Sequence, residues 1–192
     1  MLKYNECYEP TEYQRIPVKF EKWNSQRVQV SRDAQRATGK MRSNQFEQTT
    51  LYSSEMVGSR TIKINVRALD ERVHSRMWHS SWIEFGIVFG ETGFNTSQWL
   101  HDNGNALCVW AGGTGWSTRF WCRWELSETK KMQIRSGSVL QMLIDCDNKS
   151  IVFAVDRVSL PPIEIHISDL ESRRLRAAVA ICGQTQLEIS DE

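Results

Sequence analysis

Residues 139–155 have the sequence VLQMLIDCDNKSIVFAV, in which two short apolar runs flank a polar tetrad. Each run is too short and too rich in β-branched residues for a helix, so the pattern predicts two paired strands. The tetrad that begins at Asp147 predicts the turn, because Asn and Asp tolerate left-handed backbone and hydrogen-bond to it locally. Both runs are apolar almost throughout, so we expect both faces of this hairpin to be partly covered and the hairpin to lie centrally in a sheet.

Other segments repeat this strand pattern. Residues 61–67 (TIKINVR) alternate strictly, which predicts one core face and one solvent face. Residues 82–90 (WIEFGIVFG) predict a buried strand, in which Gly86 indicates the close approach of a neighbouring backbone or a large ring. Further strands are expected at 27–31, 46–52, 106–110, 118–126, 163–167, 175–182 and 184–189, while 32–45 is expected to be a loop or an interrupted strand pair. Many short strands with Gly and Asn turns indicate an antiparallel sandwich.

The composition is that of an ordinary globular protein. The 192 residues are 40% hydrophobic and 24% charged, with a net charge of +1, which suits one domain with a real core. We divide the chain into an extension, residues 1–25, that wraps the domain or pairs with its edge, and a domain, residues 26–190. No apolar run reaches 18 residues, and MLKYNECYEP lacks a signal-peptide core. We therefore expect no membrane association and an intracellular location, cytoplasmic or nuclear, with organelle import left open.

The chemistry-bearing residue types form no recognisable catalytic or metal-binding pattern. The five cysteines include no C-x-x-C pair, so we interpret them as reduced core thiols. Residues 145–148 (DCDN) lack the glycine and late glutamate of a calcium loop and are expected to end a strand and cap its turn. Residues 112–115 (GGTG) lack the following Lys-Ser/Thr of a phosphate cradle. Glu84 is the one acidic residue inside an aromatic strand, and no G-x-S-x-G elbow occurs. We expect no enzyme, metal, cofactor or small-molecule ligand.

Tryptophan and arginine are the residue types that suggest binding surfaces. Most of the eight Trp residues are expected in the core, with Trp99 and Trp116 at loop tips as candidate anchors for a partner. An alternative is a stacking platform for sugars. Sixteen Arg outnumber eight Lys and cluster at 32–42, 72–76 and 173–176. Such clusters are a solvated surface by default, or a patch that contacts RNA or an acidic partner.

The order of these motifs resembles a SPRY domain with its N-terminal PRY part. Residues 27–33 look like the opening PRY strand, and 82–87 match the family's strand with a central glycine. Residues 137–153 match its most characteristic stretch, a glycine, an apolar run, Ile-Asp-x-Asp, a short turn and a strand with Phe. Residues 177–189 match the closing strands. At 60–66 the family's usual aromatic pair is missing. The resemblance covers about residues 26–190 and implies an all-β, two-layer antiparallel sandwich of the concanavalin jelly-roll type.

The resemblance also implies a non-catalytic module that binds a peptide or a partner protein through loops at one end of the sandwich. Ile181, Cys182 and Gly183 correspond to a stretch that lines the pocket of peptide-binding members, with Cys182 where Trp is frequent. Thr96 and Trp99 fall where a pocket aromatic tends to sit. The expected partner-binding residues are Arg32, Arg36, Thr96, Trp99, Trp116, Ile181, Cys182 and Gly183.

The expected role is that of an adaptor or a subunit of a larger assembly. Two alternatives stay open at this point. One is a subunit of an RNA–protein complex that uses the arginine clusters, and the other is a lectin-like carbohydrate binder on the same architecture.

Overall fold

The structure, a computed structural model, describes residues 17–40, 48–56, 58–70, 83–89, 95–97, 100, 106–111, 119–121, 134–156, 158–165 and 175–191. Fourteen β-strands lie within these ranges. They are β1 Phe20–Lys22, β2 Val28–Val30, β3 Arg36–Gly39, β4 Gln48–Met56, β5 Arg60–Ala68, β6 Ile83–Phe89, β7 Ala106–Ala111, β8 Arg119–Trp121, β9 Val139–Asp145, β10 Ser150–Val155, β11 Val158–Ser159, β12 Ile163–Glu164, β13 Leu175–Cys182 and β14 Gln186–Asp191.

The strands form two antiparallel sheets that face each other as a sandwich. Sheet A has the order β1-β4-β13-β6-β7-β8, and sheet B has the order β11-β10-β9-β5-β14-β3-β2, with β12 pairing β10. The prediction of an all-β, two-layer antiparallel sandwich is confirmed. Across the described ranges, no helix is long and apolar enough to cross a membrane.

The main core lies between the two sheets. Alternate residues of β5, Ile62, Ile64 and Val66, point into it and are fully buried, as their spacing predicts. Phe85 of sheet A meets Phe153 of sheet B edge to face, with ring centroids 5.7 Å apart. Such aromatic pairs stabilise a core beyond their buried area, so this contact helps to fix one sheet against the other.

Gly86 allows β6 and β7 to pack closely. A Cβ built on Gly86 would lie 2.1 Å from the Leu107 carbonyl oxygen and 2.6 Å from Cys108 Cα. No side chain fits there, so glycine is required by the neighbouring backbone. Of the two causes expected from the sequence, the close backbone is the one observed.

A second close contact marks the point where the chain crosses from sheet A to sheet B. Gly183 follows β13 with φ of +64°, a conformation that glycine adopts without strain. A Cβ on Gly39 would lie 2.0 Å from the Gly183 carbonyl oxygen. The predicted hinge between the two closing strands is therefore present, and β3 packs against it.

The hairpin of β9 and β10 has the predicted turn. Asp145 accepts hydrogen bonds from the Asn148 backbone N–H at 2.9 Å and from its side-chain amide at 2.8 Å. These bonds hold the pKa of the Asp145 carboxyl below its usual value. Lys149 takes the left-handed conformation, with φ of 52°. The aspartate thus ends a strand and caps its turn, as expected.

The expected central position of this hairpin is confirmed in part, because both of its strands have neighbours on each side, although β10 lies next to the edge of sheet B. Burial along β9 and β10 alternates, and Leu143 is 47% exposed on the outer face. Beyond β10, sheet B continues only with the two-residue strands β11 and β12 among the described residues. Instead, β13 is buried at all eight positions and β6 at six of seven. One face of the hairpin is fully buried and the other is partly covered, as expected, with Leu143 as the exposed position.

Part of the predicted N-terminal extension joins sheet A as an edge strand. Phe20 of β1 pairs with Ser53 of β4. The buried Arg176 guanidinium bonds to the Ser53 carbonyl at 2.7 Å, to Glu55 at 2.9 Å and to Glu21 of β1. A buried guanidinium needs such partners to offset its desolvation, so this contact connects β1, β4 and β13.

Two sequence predictions are only partly covered by the described residues. Within the expected loop 32–45, a strand, β3, is present at 36–39. The expected strand 118–126 is present at 119–121, and the rest lies outside the described residues.

Candidate functional site at the loop end of the sandwich

One end of the sandwich gathers several chain segments. We call it the loop end, and it comprises residues 24–27, 39–40, 48–50, 70, 95–97 and 182–185. Gln48 and Cys182 are Cα partners at this end of sheet A. The Gly39 N–H donates to the Thr185 carbonyl at 3.0 Å, which brings sheet B to the same place. The strands thereby position loops from both sheets beside one another.

Segment 95–97 is fixed to β4 by several hydrogen bonds. The Thr96 carbonyl accepts from the Thr50 N–H at 3.1 Å and from the Thr49 hydroxyl at 3.0 Å. The Tyr52 hydroxyl donates to the Asn95 carbonyl at 3.3 Å. Buried threonine and tyrosine side chains of β4 thus hold this loop, and Asn95 and Ser97 of the loop are exposed.

A buried glutamate, Glu84, holds the chain at Leu100, three residues after segment 95–97. Glu84 of β6 is 2% exposed and accepts the Leu100 N–H at 2.7 Å. Leu100 itself is buried with Tyr52, Val88, Cys108, Ala178 and Ala180 in a second apolar cluster on the outer face of sheet A. A buried carboxylate is costly unless it is hydrogen-bonded, so Glu84 has a positioning role beneath this loop.

Cys182 lies beside Glu84 on the outer side of β13. Burial, reinforced by the negative charge of Glu84, raises the pKa of the Cys182 thiol from 9.0 to about 12. A thiol with such a pKa is protonated at neutral pH and is a poor nucleophile. Cys182 therefore contributes shape and packing beneath the loop end and is unsuited to nucleophilic chemistry.

The turn 24–27 completes the loop end on the sheet B side. Arg27 donates through Nη1 to the Gln48 carbonyl at 2.9 Å. Asn24 is joined to Ser97 at 3.5 Å, and Lys40 Nζ donates to the Ser25 carbonyl at 3.0 Å. Side chains from separate loops thus brace one another, and most of these polar groups border solvent.

A further bond ties the loop that follows β5 to the hinge. The Gln184 N–H donates to the Asp70 carboxylate at 2.9 Å, and the Gln184 side chain is exposed. Across the described residues, no three His, Cys, Asp or Glu side chains converge to hold a metal ion. The described groups of the loop end are backbone and side-chain hydrogen-bonding groups such as the exposed Gln184 side chain.

The structure brings together three of the residues expected from the sequence, namely Thr96, Cys182 and Gly183. Thr96 contributes its carbonyl to the loop anchor, Cys182 is 6% exposed, and Gly183 is the buried hinge. Ile181 differs, because its side chain is fully buried in the core between the sheets. Alternation along β13 explains this position, and Ile181 supports the site from behind without offering a contact surface.

Arg32 and Arg36 lie away from these three residues. Arg32 is exposed in the turn between β2 and β3, at the opposite end of β3 from Gly39. Arg36 points outward from sheet B and pairs with Glu188 at 3.3 Å. The remaining two expected residues, Trp99 and Trp116, lie outside the described residues.

Sequence reasoning missed Glu84 as an anchor and Arg27, Lys40 and Gln184 as members of the loop end. For Glu84 a signal existed, since an acidic residue inside an apolar strand needs a buried partner. For the others the sequence held no signal, because polar loop residues from distant segments meet only through the sheet pairing.

No family model matches the sequence, and no curated protein matches it. Solved structures do match. The TRIM65 PSpry domain aligns with a TM-score of 0.61 at 12% identity, covering 91% of this chain and 89% of that one. The human HERC1 SPRY domain aligns with a TM-score of 0.52 at 11% identity, covering 88% of this chain and 98% of that one. The chain has a SPRY-like fold.

This SPRY-like sandwich also resembles a lectin domain. The Emp46p carbohydrate recognition domain aligns with a TM-score of 0.55 at 13% identity, covering 85% of this chain and 84% of that one. At such identities the likeness concerns the fold, which agrees with the concanavalin-type architecture expected from the sequence.

Proposed function

We propose that this chain is a non-catalytic protein-interaction module that binds a peptide segment or loop of a partner protein at the loop end. The fold is one shared with SPRY domains, which supports an interaction module in general terms. We further propose that the module acts as an adaptor or as a subunit of a larger assembly, to which its partner protein belongs.

The observation that carries the proposal is the bracing of the loop end. Segment 95–97 is hydrogen-bonded to β4, and Leu100 is bonded to the buried Glu84. Turn 24–27 is bonded to Gln48 and to Ser97. Binding costs less when the contacting loops are already ordered, so a braced polar end suits recognition better than an exposed flat sheet does.

The proposal is tested by capture of partners on the tagged full chain, identified by mass spectrometry, with and without nuclease. The matched variants are Gln184→Arg at the loop end and Gln29→Arg on β2, since both side chains are exposed. We expect a set of proteins that survives nuclease, is lost with Gln184→Arg and is retained with Gln29→Arg.

Other outcomes contradict the proposal. Equal retention by both variants removes the loop end as the binding site. Loss of the captured set on nuclease treatment favours the RNA–protein alternative, for which binding should also fall steeply as salt rises. Competition by free sugars, with no stable protein set, favours the carbohydrate alternative.

The proposed setting is intracellular, cytoplasmic or nuclear. Cys108, Cys146 and Cys182 are free thiols, which suits a reducing compartment. Localisation of the full chain with a small epitope tag tests this part separately, and secretion into the medium would contradict it.

A further inference from the structure

The outer face of sheet B carries a positively charged region that is separate from the loop end. Over β3, β14 and β5, the outward-pointing charged side chains are Arg36, Lys63, Arg67 and Glu188. Arg36 and Arg67 both pair with Glu188, yet their side chains are 68% and 61% exposed. These two arginines hold the pKa of the Glu188 carboxyl below its usual value. Arg36 and Arg67 share the single carboxylate of Glu188, so these two arginines leave this part of the face positive.

The same face becomes apolar on the neighbouring strands. Leu143 of β9 is 47% exposed, and it lies opposite Val152 of β10 and Thr61 of β5. On the outer side of β9, Gln141 lies between Leu143 and Val139. Ala154 of β10 is the Cα partner of Gln141. An occupant of this face therefore has to offer negative charge on one side and apolar surface on the other.

One segment of this chain has that composition. Residues 4–13, YNECYEPTEY, hold three Glu and three Tyr and no Lys or Arg. They lie outside the described residues, but the point from which they leave is described. The Val18 N–H donates to Asp191 at 3.2 Å, and Asp191 is the Cα partner of Ile62, one residue before Lys63.

The distances available allow this segment to reach the face. Four residues separate Tyr13 from Val18, and an extended chain spans about 3.3 Å or slightly more per residue. Neighbouring strands lie about 4.8 Å apart, so β3, β14, β5 and β9 together extend over roughly 14 Å. A ten-residue extended segment is longer than that width.

We infer that the acidic, tyrosine-rich segment 4–13 docks in cis on the outer face of sheet B, with its glutamates at Arg36 and Arg67 and its tyrosines towards Leu143 and Val152. Docking covers the apolar part of the face and leaves the loop end open. The face is thereby an intramolecular interaction surface distinct from the proposed partner site.

Cys7 gives a direct probe of this contact in the full chain. With Cys122→Ser and Cys146→Ser, and with Cys108 and Cys182 buried, a nitroxide is attached at Cys7. Paramagnetic line broadening is then measured at each backbone amide by NMR. We expect selective loss of amide signals near Lys63, Arg67 and Leu143, and unaffected signals for loop-end residues such as Gln184.

Charge variants separate docking from mere proximity of the tether. Glu6, Glu9 and Glu12 changed together to Gln should abolish the selective broadening, as should Arg67→Glu, whereas Lys40→Glu at the loop end should not. About 1 M salt, at which the Debye length is near 3 Å, should weaken it. Uniform weak broadening, broadening centred on the loop end, or broadening that survives the Gln substitutions would each overturn the inference.

Discussion

The outer faces of the two sheets differ in what lies over them. On sheet A several outward residues of the central strands are small, namely Ala178 and Ala180 on β13 and Gly86 on β6, and the two alanines are buried in one cluster with Leu100. On sheet B the outward residues include Lys63 of β5 and the half-exposed Leu143 of the neighbouring strand β9. The small residues leave room for Leu100 on sheet A, whereas Arg36 and Arg67 on the outer face of sheet B have exposed side chains.

This difference locates the proposed partner site. The cover of sheet A is anchored by Glu84 at one point and by Thr49, Thr50 and Tyr52 at another. It ends at the loop end, where its polar groups meet those of turn 24–27. On the outer face of sheet B, by contrast, the side chains of Arg36, Arg67 and Leu143 are exposed.

The largest expected loss of stability is for Gly86→Ala, where β6 and β7 approach each other closely. Gly86→Ala places a Cβ 2.1 Å from a backbone oxygen of β7, which only a shift of the strands can relieve. We expect the free energy of unfolding in urea to fall by more than about 4 kcal/mol, or folding to fail. Gly86→Val should be worse still.

Gly58→Ala is the matched control for this substitution. Gly58 has φ of +78° and no atom within 4 Å of a built Cβ. Only the backbone conformation opposes the change, at a cost of about 1 to 2 kcal/mol. Equal losses for both variants would show that the spacing of β6 and β7 is not the cause.

The next pair of substitutions, Ala180→Leu and Ala154→Leu, compares the outer faces of the two sheets directly. Ala180→Leu adds volume beneath the cover of sheet A, where Ala180 is fully buried, and should cost about 1 to 3 kcal/mol. Ala154→Leu makes the same change on the outer face of β10, which is partly exposed, and should stay within about 0.5 kcal/mol. Equal unfolding free energies for these variants would mean that the two faces are covered alike.

The sequence predicted the fold class and most strands because alternation and turn residues are local signals. Residues 61–67, the turn at Asp145 and the hinge at Gly183 were all found as expected. Which face of a strand is covered depends on distant segments, and the sequence does not contain that information locally. The apolar runs therefore did not show that β13 and β6 of sheet A would be buried more completely than the hairpin.

The candidate site could be predicted less well. Cys182 and Gly183 follow from the order of the motifs, and both lie at the loop end. Ile181 was included because its neighbours were, although alternation alone turns its side chain into the core. Arg32 lies in the turn before β3 and Arg36 is the first residue of β3, a strand that the sequence did not separate from its flanking loop.

Removal of the loop anchor should cost less stability than Gly86→Ala. Glu84→Ala leaves the buried Leu100 N–H without the acceptor seen at 2.7 Å, which should cost about 2 kcal/mol. Glu188→Ala on the outer face of sheet B removes exposed ion pairs and should cost about 0.5 kcal/mol. Glu84→Gln keeps an oxygen for Leu100 and should recover much of the loss.

Hydrogen exchange at Leu100 reports this effect locally. We expect faster exchange of its amide in Glu84→Ala and near-normal exchange in Glu84→Gln. Unchanged exchange in Glu84→Ala would mean that packing alone holds the cover on sheet A.

The smallest expected effect depends on pH and concerns the thiol beneath the cover. The pKa of Cys182 is raised from 9.0 to about 12 in the folded chain, so above pH 9 the unfolded chain loses this proton while the folded chain keeps it. The resulting stability is complete below pH 9 and is lost as the pH rises towards 12. At pH 10 the loss is about 1.4 kcal/mol relative to neutral pH. Cys182→Ser has no such proton to lose, so the difference in unfolding free energy between wild type and this variant should change by that amount.

Glu84→Gln connects this pH effect with the loop anchor. The carboxylate of Glu84 contributes to the raised pKa of Cys182, after burial itself. Its replacement by an amide should therefore lower the thiol pKa and reduce the alkaline loss of stability, while Cys182 stays buried. An identical alkaline profile in wild type and Cys182→Ser would mean that the thiol is reached by water in solution. The outer face of sheet A would then be open at this point, as that of sheet B is, and the contrast between the two faces would be limited to the region around Leu100.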